Sequence, residues 1–219
     1  MQNGFENRQE AGRFLATKLK HYAYRSDGLV LGLPRGGIPV AFEVAQALDL
    51  PLDVFVVRKL GVPQHEELAM GAIAMDGPRV VNREVVQHAG ISEKVLDRVT
   101  DRERRELERR LATYRDDRPM PAIMGRAVIL VDDGLATGAT MRAAIQALQR
   151  RNPAQTVVAV PVAPADTCAE LERQADEVIC AQTPTHFGGV GRWYRHFPQT
   201  TDDEVRHLLA KAWQQHASR

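Results

Sequence analysis

Apolar positions along the chain change their spacing several times, and those changes divide it into alternating helices and strands. Ala11, Phe14, Leu15, Leu19 and Tyr22 recur at helical intervals, so the first twenty-odd residues predict an amphipathic helix. Residues 29–33 form an unbroken apolar run, as expected of a strand buried on both faces, and residues 38–48 predict the helix it feeds. Residues 52–57 predict a second strand, which completes a βαβ unit that is right-handed by default. After Arg58 the pattern weakens. Residues 69–75 and 79–81 predict a short strand pair across the turn signal Asp76-Gly77-Pro78. Ser92 stands where it can cap a helix running to about Arg115. The apolar stripe of that helix (Leu96, Val99, Leu107, Leu111, Tyr114) is thin and interrupted by Glu103 and arginines. A solvated helix laced with i,i+4 ion pairs is therefore expected, with a subunit contact as the alternative.

Further strands at 128–132, 156–162 and 177–181 alternate with helices at 140–151 and 166–175. Residues 183–200 are irregular, with Gly188, Gly189 and Gly191 among Phe187, Trp193 and Tyr194. A last helix, capped by Asp202, carries Val205, Leu208, Leu209, Ala212 and Trp213 on one face. This alternation predicts an α/β fold with a doubly wound parallel sheet in a single domain over 1–219. Residues 92–118 are its charged helix, and 183–200 a small C-terminal hood over the sheet edge.

A length of 219 residues suits one such domain with an appendage. The balance of 29 basic against 28 acidic residues argues against a nucleic-acid partner, which would demand a basic excess. Cys168 and Cys180 fall in a predicted helix and a predicted strand, with no metal-ligand spacing around them, so two buried thiols are expected. Nothing at the amino terminus resembles a signal peptide, and no apolar run approaches the ~18 residues of a membrane span. A soluble, cytoplasmic chain without a membrane partner is expected.

The chemistry gathers in Val128-Ile129-Leu130-Val131-Asp132-Asp133-Gly134-Leu135-Ala136-Thr137-Gly138-Ala139-Thr140. An apolar strand runs into two carboxylates at its carboxyl end, where open α/β sheets place their ligands. Ala136, Thr137, Gly138, Ala139 and Thr140 then offer small side chains, backbone amides and hydroxyls at a helix start, which suits a phosphate. Acids beside a phosphate cradle make sense for a sugar phosphate: the carboxylates accept from ribose hydroxyls while the loop holds the 5′-phosphate. The segment resembles the phosphoribosyl-diphosphate (PRPP) signature of type I phosphoribosyltransferases, most nearly in its adenine phosphoribosyltransferase variant. No Gly-Lys-Ser/Thr ending makes it a P-loop.

Two further segments fit the resemblance. Leu31-Gly32-Leu33-Pro34-Arg35-Gly36-Gly37-Ile38-Pro39 is a strand-to-helix turn with a guanidinium and unhindered amides, suited to a multiply charged anion. The family places its diphosphate loop there, around a strained peptide. Val56-Val57-Arg58-Lys59-Leu60-Gly61-Val62-Pro63 closes the second strand with two cations and is similar to the Arg-Lys-x-Gly-x-x-Pro segment of adenine enzymes. The resemblance implies that Arg35, Gly36, Gly37, Arg58 and Lys59 hold the diphosphate. It makes 60–91, including His65-Glu66-Glu67, a candidate flexible loop. It also implies transfer of ribose 5-phosphate from PRPP to a nitrogenous base or other nitrogen nucleophile, with Mg²⁺ bridging diphosphate and ribose oxygens. Asp132 and Asp133 would be the catalytic pair, binding the ribose and touching the metal only indirectly, and a homodimer is expected.

The acceptor pocket is less well marked. Ala136 stands where hypoxanthine-guanine enzymes have a carboxylate, which weakens a six-oxopurine assignment. Val190-Gly191 resembles the Val-Gly pair of purine hoods, but Gly188 occupies the place of the stacking aromatic. Phe187, Val190 and Trp193 are therefore the candidate acceptor residues, with Tyr194 a further candidate ring. The alternative to an enzyme is a PRPP- or nucleotide-sensing regulator with little transfer activity. The intact Arg35 and Arg58-Lys59 favour the enzyme.

Overall fold

In the computed structural model, which describes residues 4–74, 79–115 and 118–217, a five-stranded parallel sheet forms the centre. Its strands are β1 (Gly28–Gly32), β2 (Leu52–Val54), β6 (Ala127–Val131), β7 (Gln155–Val162) and β8 (Glu177–Gln182), in the order β2-β1-β6-β7-β8. β1 connects outward to β2 through α2 (Gly37–Leu48), and β6 connects in the other direction to β7 through α5 (Ala139–Gln149). The chain thus reverses its winding between β1 and β6, and the carboxyl ends of those two strands flank the crevice where such sheets bind ligands.

Side-chain alternation along the strands builds two cores. Val30, Ile129, Val131, Val157 and Ala159 face α1 (Arg8–Lys18), α2 and α7 (Asp202–Ala217). Leu29, Leu31, Val128, Leu130, Val158 and Val160 face α5 and α6 (Ala165–Leu171). Both faces are covered, which is why these strands are apolar without alternation. The last helix begins at Asp202, one residue earlier than expected with Asp202 as its cap: the Thr201 hydroxyl instead accepts from the Glu204 amide at 3.1 Å. Among the described residues no helix is long and apolar enough to cross a membrane.

The predicted strand at 52–57 is split. β2 ends at Val54, and β3 (Val57–Val62) leaves for a separate antiparallel sheet with β4 (His65–Ala74) and β5 (Val80–Val81). A continuous apolar run hides that break, because Phe55 and Val56 are as buried at the crossing as they would be in a strand. The expected pairing of 69–75 with 79–81 appears as β4 against β5, with Gly71 opposite Val81. Its turn, 76–78, lies outside the described residues. The candidate loop 60–91 therefore contains the β3–β4 hairpin, β5 and α3 (Arg83–His88).

Two expectations are corrected. α4 (Glu93–Arg115) carries ion pairs of the expected kind on its outer face, Glu106 with Arg109 and Arg110, but its apolar stripe is not solvated: Leu96, Val99, Leu107 and Tyr114 are buried in the core that also holds Leu60, Met70 and Ile73 of the hairpin. Its end is tied to β2 by an ion pair between Arg115 and Asp53, both buried. Cys168 and Cys180 are not thiols but a disulfide joining α6 to β8. The turn after α6 folds β8 back along it and brings the two Cα atoms to 6.6 Å, a proximity that spacing in the sequence does not reveal.

Candidate active site

The turn after β1 and the turn after β6 meet at the switch point. Leu33 donates its amide to the Val131 carbonyl at 2.9 Å, locking one turn onto the end of the other strand. The Pro34–Arg35 peptide is cis, in the loop where the resemblance implied an unusual peptide. Gly36 packs directly against the Asp133 carboxylate, so close that a Cβ at this position would collide with Oδ2. The acidic pair and the expected diphosphate loop are therefore one site.

Asp132 and Asp133 are half-buried, and the Asp133 amide donates to Asp132 Oδ1 at 2.9 Å. Desolvation and the neighbouring Asp133 charge push the Asp132 carboxyl well above the usual carboxylate range. Desolvation raises Asp133 too, against the opposing pull of Arg8, whose Nε donates to Asp133 Oδ2 at 2.8 Å. Two carboxylates that repel each other out of water form a hard oxygen pair, a donor type suited to Mg²⁺ with its retained waters. Among the described residues there is no group of three or more His, Cys, Asp or Glu side chains that could cage a metal.

Beyond the acids the backbone turns through Gly138, at φ 69°, into the first turn of α5. That left-handed conformation favours glycine and aims the loop into the helix start. The Thr167 hydroxyl donates to the Ala136 carbonyl at 3.0 Å and braces the loop from α6. Ala136, Thr137 and Thr140 are exposed, and with Gly138 and Ala139 they surround the positive end of the α5 dipole.

Arg58 and Lys59 lie on β3, not at the end of a core strand. They still reach the site, lining a cavity of about 250 Å³ with Pro34 and Thr140. Arg58 is held by Glu103 of α4, with Nε and Nη2 at 2.8 and 2.6 Å from Oε2, and Arg102 Nε reaches Oε1 at 3.0 Å. The Arg35 side chain lies on the other side of the loop, in a cavity of about 510 Å³ with Arg8, Asp133 and the hood. Of the candidate acceptor residues, Val190 lines this cavity, and the ring it holds is Phe197. Trp193 instead donates its indole N–H to the Phe187 carbonyl at 3.0 Å, within the hood. Tyr194 donates its hydroxyl to the Asp133 carbonyl at 2.6 Å and is buried, which raises its pKa. Two larger cavities, of about 550 and 620 Å³, lie off the switch point beside α7 and α5.

Arg8, Glu103 and Phe197 were missed by sequence reasoning. Arg8 stands 125 positions from Asp133, and nothing local distinguishes it from other helix-face arginines. Glu103 did leave a trace, as the acid that breaks the α4 apolar stripe: an acid on a buried face calls for a buried cation.

Residues 5–194 match the family model described as the phosphoribosyl transferase domain, and the chain belongs to that family. Proteins from two strains of Mycobacterium tuberculosis, CDC 1551 / Oshkosh and ATCC 25618 / H37Rv, are each 48% identical to it over 208 residues. Both are named provisionally as phosphoribosyl transferases. The match covers 95% of this chain and 47% of either relative, so the chain spans about half the length of the curated relatives it matches. The crystal structure of TT1426 from Thermus thermophilus has a TM-score of 0.88 at 40% identity, covering 95% of this chain and 98% of that one.

Proposed function

We propose that this chain transfers ribose 5-phosphate from PRPP to a nitrogenous base or other nitrogen nucleophile, with Mg²⁺ as cofactor and diphosphate as the leaving group. The observation that carries the reading is the contact of Gly36 with the Asp133 carboxylate, which joins an anion-binding turn to a hydroxyl-binding acid pair. A 5-phosphate seated on residues 136–140 points its pentose toward Asp132 and Asp133. Those carboxylates accept from the 2- and 3-hydroxyls and lend negative potential to the ring as the bond from the anomeric carbon to diphosphate breaks. The amides of Gly36 and Gly37, with Arg58 and Lys59, take the growing charge on the departing diphosphate. Mg²⁺, held indirectly through Asp132 and Asp133, would neutralise part of that charge. The incoming nitrogen approaches from the hood cavity, on the opposite side of the loop from Arg58.

A cytoplasmic homodimer belongs to the same proposal. The dimer rests on the family resemblance, since the apolar stripe of α4 is spent within the chain. In a reducing compartment the Cys168–Cys180 bond would stand open.

The test is direct. Asp132→Asn combined with Asp133→Asn should abolish binding of Mg²⁺·PRPP in calorimetry while circular dichroism stays unchanged, and unaltered affinity refutes the ribose role. A panel of bases and amines with PRPP, followed by diphosphate release, tests transfer. Tight PRPP binding with no release from any acceptor would favour the sensor.

A further inference from the structure

The cavity under residues 197–200 carries more positive charge than the pocket of a neutral base requires. Arg8, in the first turn of α1, lies over the Phe197 ring with its guanidinium carbon 3.8 Å from the centroid. Its Nε donates to Asp133 Oδ2 at 2.8 Å and its Nη1 to the Pro198 carbonyl at 2.7 Å. These contacts fix the plane of the guanidinium, and Nη2 has no hydrogen-bond partner among the described residues. Arg35 brings a second guanidinium to the same cavity, where among the described residues its one ion pair is a loose one to Asp202 at 3.8 Å. Against these two cations the wall offers a single acid, Asp133, already engaged by Arg8. Thr200 closes the cavity, and its buried hydroxyl has no partner among the described residues. Val190 supplies apolar surface to the wall, while the Phe197 ring, stacked on Tyr194 at 4.8 Å, serves as the platform under Arg8.

We propose that this cavity selects acceptors bearing an anionic oxygen group, such as a carboxylate on a nitrogen heterocycle, and that Arg8 is the specificity-determining residue; the proposal rests on the transferase reading. A guanidinium held in place by a ring and two hydrogen bonds loses little freedom when it receives a carboxylate. A carboxamide at the same place offers one neutral acceptor oxygen where a carboxylate offers two charged ones, and a ring without the substituent offers none, so guanidinium N–H groups lose their partners.

Matched acceptor pairs test this: pyridine-3-carboxylate against its carboxamide, and orotate against uracil. Each is supplied with PRPP and Mg²⁺ to the full chain, and diphosphate release gives kcat/KM. The acid of each pair should be preferred roughly a hundredfold or more, as expected of a buried site built around one polar group. Arg8→Gln should reduce that preference to within about tenfold, whatever it does to the absolute rates. If Arg8 only held Asp133 in place, Arg8→Gln would slow both members equally and leave the ratio intact, which overturns the proposal. Equal or better use of the neutral members by the unaltered protein overturns it as well and leaves the transferase reading standing. No release from these four acceptors, with release from another base or amine of the wider panel, overturns the proposal alone; no release from any member of that panel overturns both.

Discussion

Two carboxylates side by side in a half-buried turn repel each other, and Asp132 bears most of that conflict. Its pKa is raised by desolvation and by the Asp133 charge, which outweigh the hydrogen bond from the Asp133 amide and the attraction of Arg8. Because the folded value lies above the unfolded one, the stability this group contributes is full below about pH 4 and is lost as pH rises through the folded value. Asp132→Asn removes the ionisation. It should therefore stabilise the fold at pH 8 by on the order of 1 kcal/mol and change little near pH 4. Thermal denaturation at the two pH values checks this, and a gap between variant and parent that fails to widen with pH would count against it. The same residue shows what the sequence could disclose. Asp132 and Asp133 are legible because strand, acids and phosphate turn are contiguous, so thirteen residues carry the motif in order. Arg8 is illegible because its role exists only once α1 packs beneath the hood, at a separation of 125 positions.

Among the elements, the parallel sheet was legible for a simple reason: strands covered on both faces must be apolar throughout, and β1, β6 and β7 from Val157 onward are. The hairpin was not. β3 begins inside the same apolar run that supplies β2, and Arg58 and Lys59 mark the end of one strand equally well as the start of another. The helix α4 was found, but its partner was not, since an arginine-rich helix with one apolar edge looks alike on a sheet or in water. The disulfide is a third element-scale device. It joins α6, which braces the phosphate turn through Thr167, to the edge strand β8 across 12 positions. Closing a loop of that length contributes about 2–4 kcal/mol in chain-entropy terms. Cys168→Ala with Cys180→Ala should lower the urea midpoint accordingly. A parent protein whose midpoint does not fall in the presence of a dithiol would show that the bond contributes nothing.

At the scale of the whole molecule, the hood is held from the far end of the chain. Phe5 forms a bridge with Tyr194, its amide donating to the Trp193 carbonyl at 2.7 Å and its carbonyl accepting from Arg195 at 2.9 Å. Its buried ring packs on Phe14 and Tyr194 at centroid distances of 5.7 and 5.8 Å. Tyr194 in turn bonds the Asp133 carbonyl, so the amino-terminal segment, the hood and the acid pair form one mechanical unit at the rim of a sheet built without them. Removing a buried aromatic ring typically costs about 3–5 kcal/mol. In this arrangement the loss should fall on the hood and not on the sheet, whose strands pair with one another independently of Phe5. Phe5→Ala should therefore speed amide hydrogen exchange across residues 190–196 while leaving β6 and β7 as protected as before. It should also weaken acceptor use more than PRPP binding, because the cavity wall at Val190 and Phe197 moves with the hood, whereas the phosphate turn is braced separately by Thr167. Uniform loss of protection through hood and sheet alike would mean that the two fold as a single cooperative block, with no separately hinged cover over the acids.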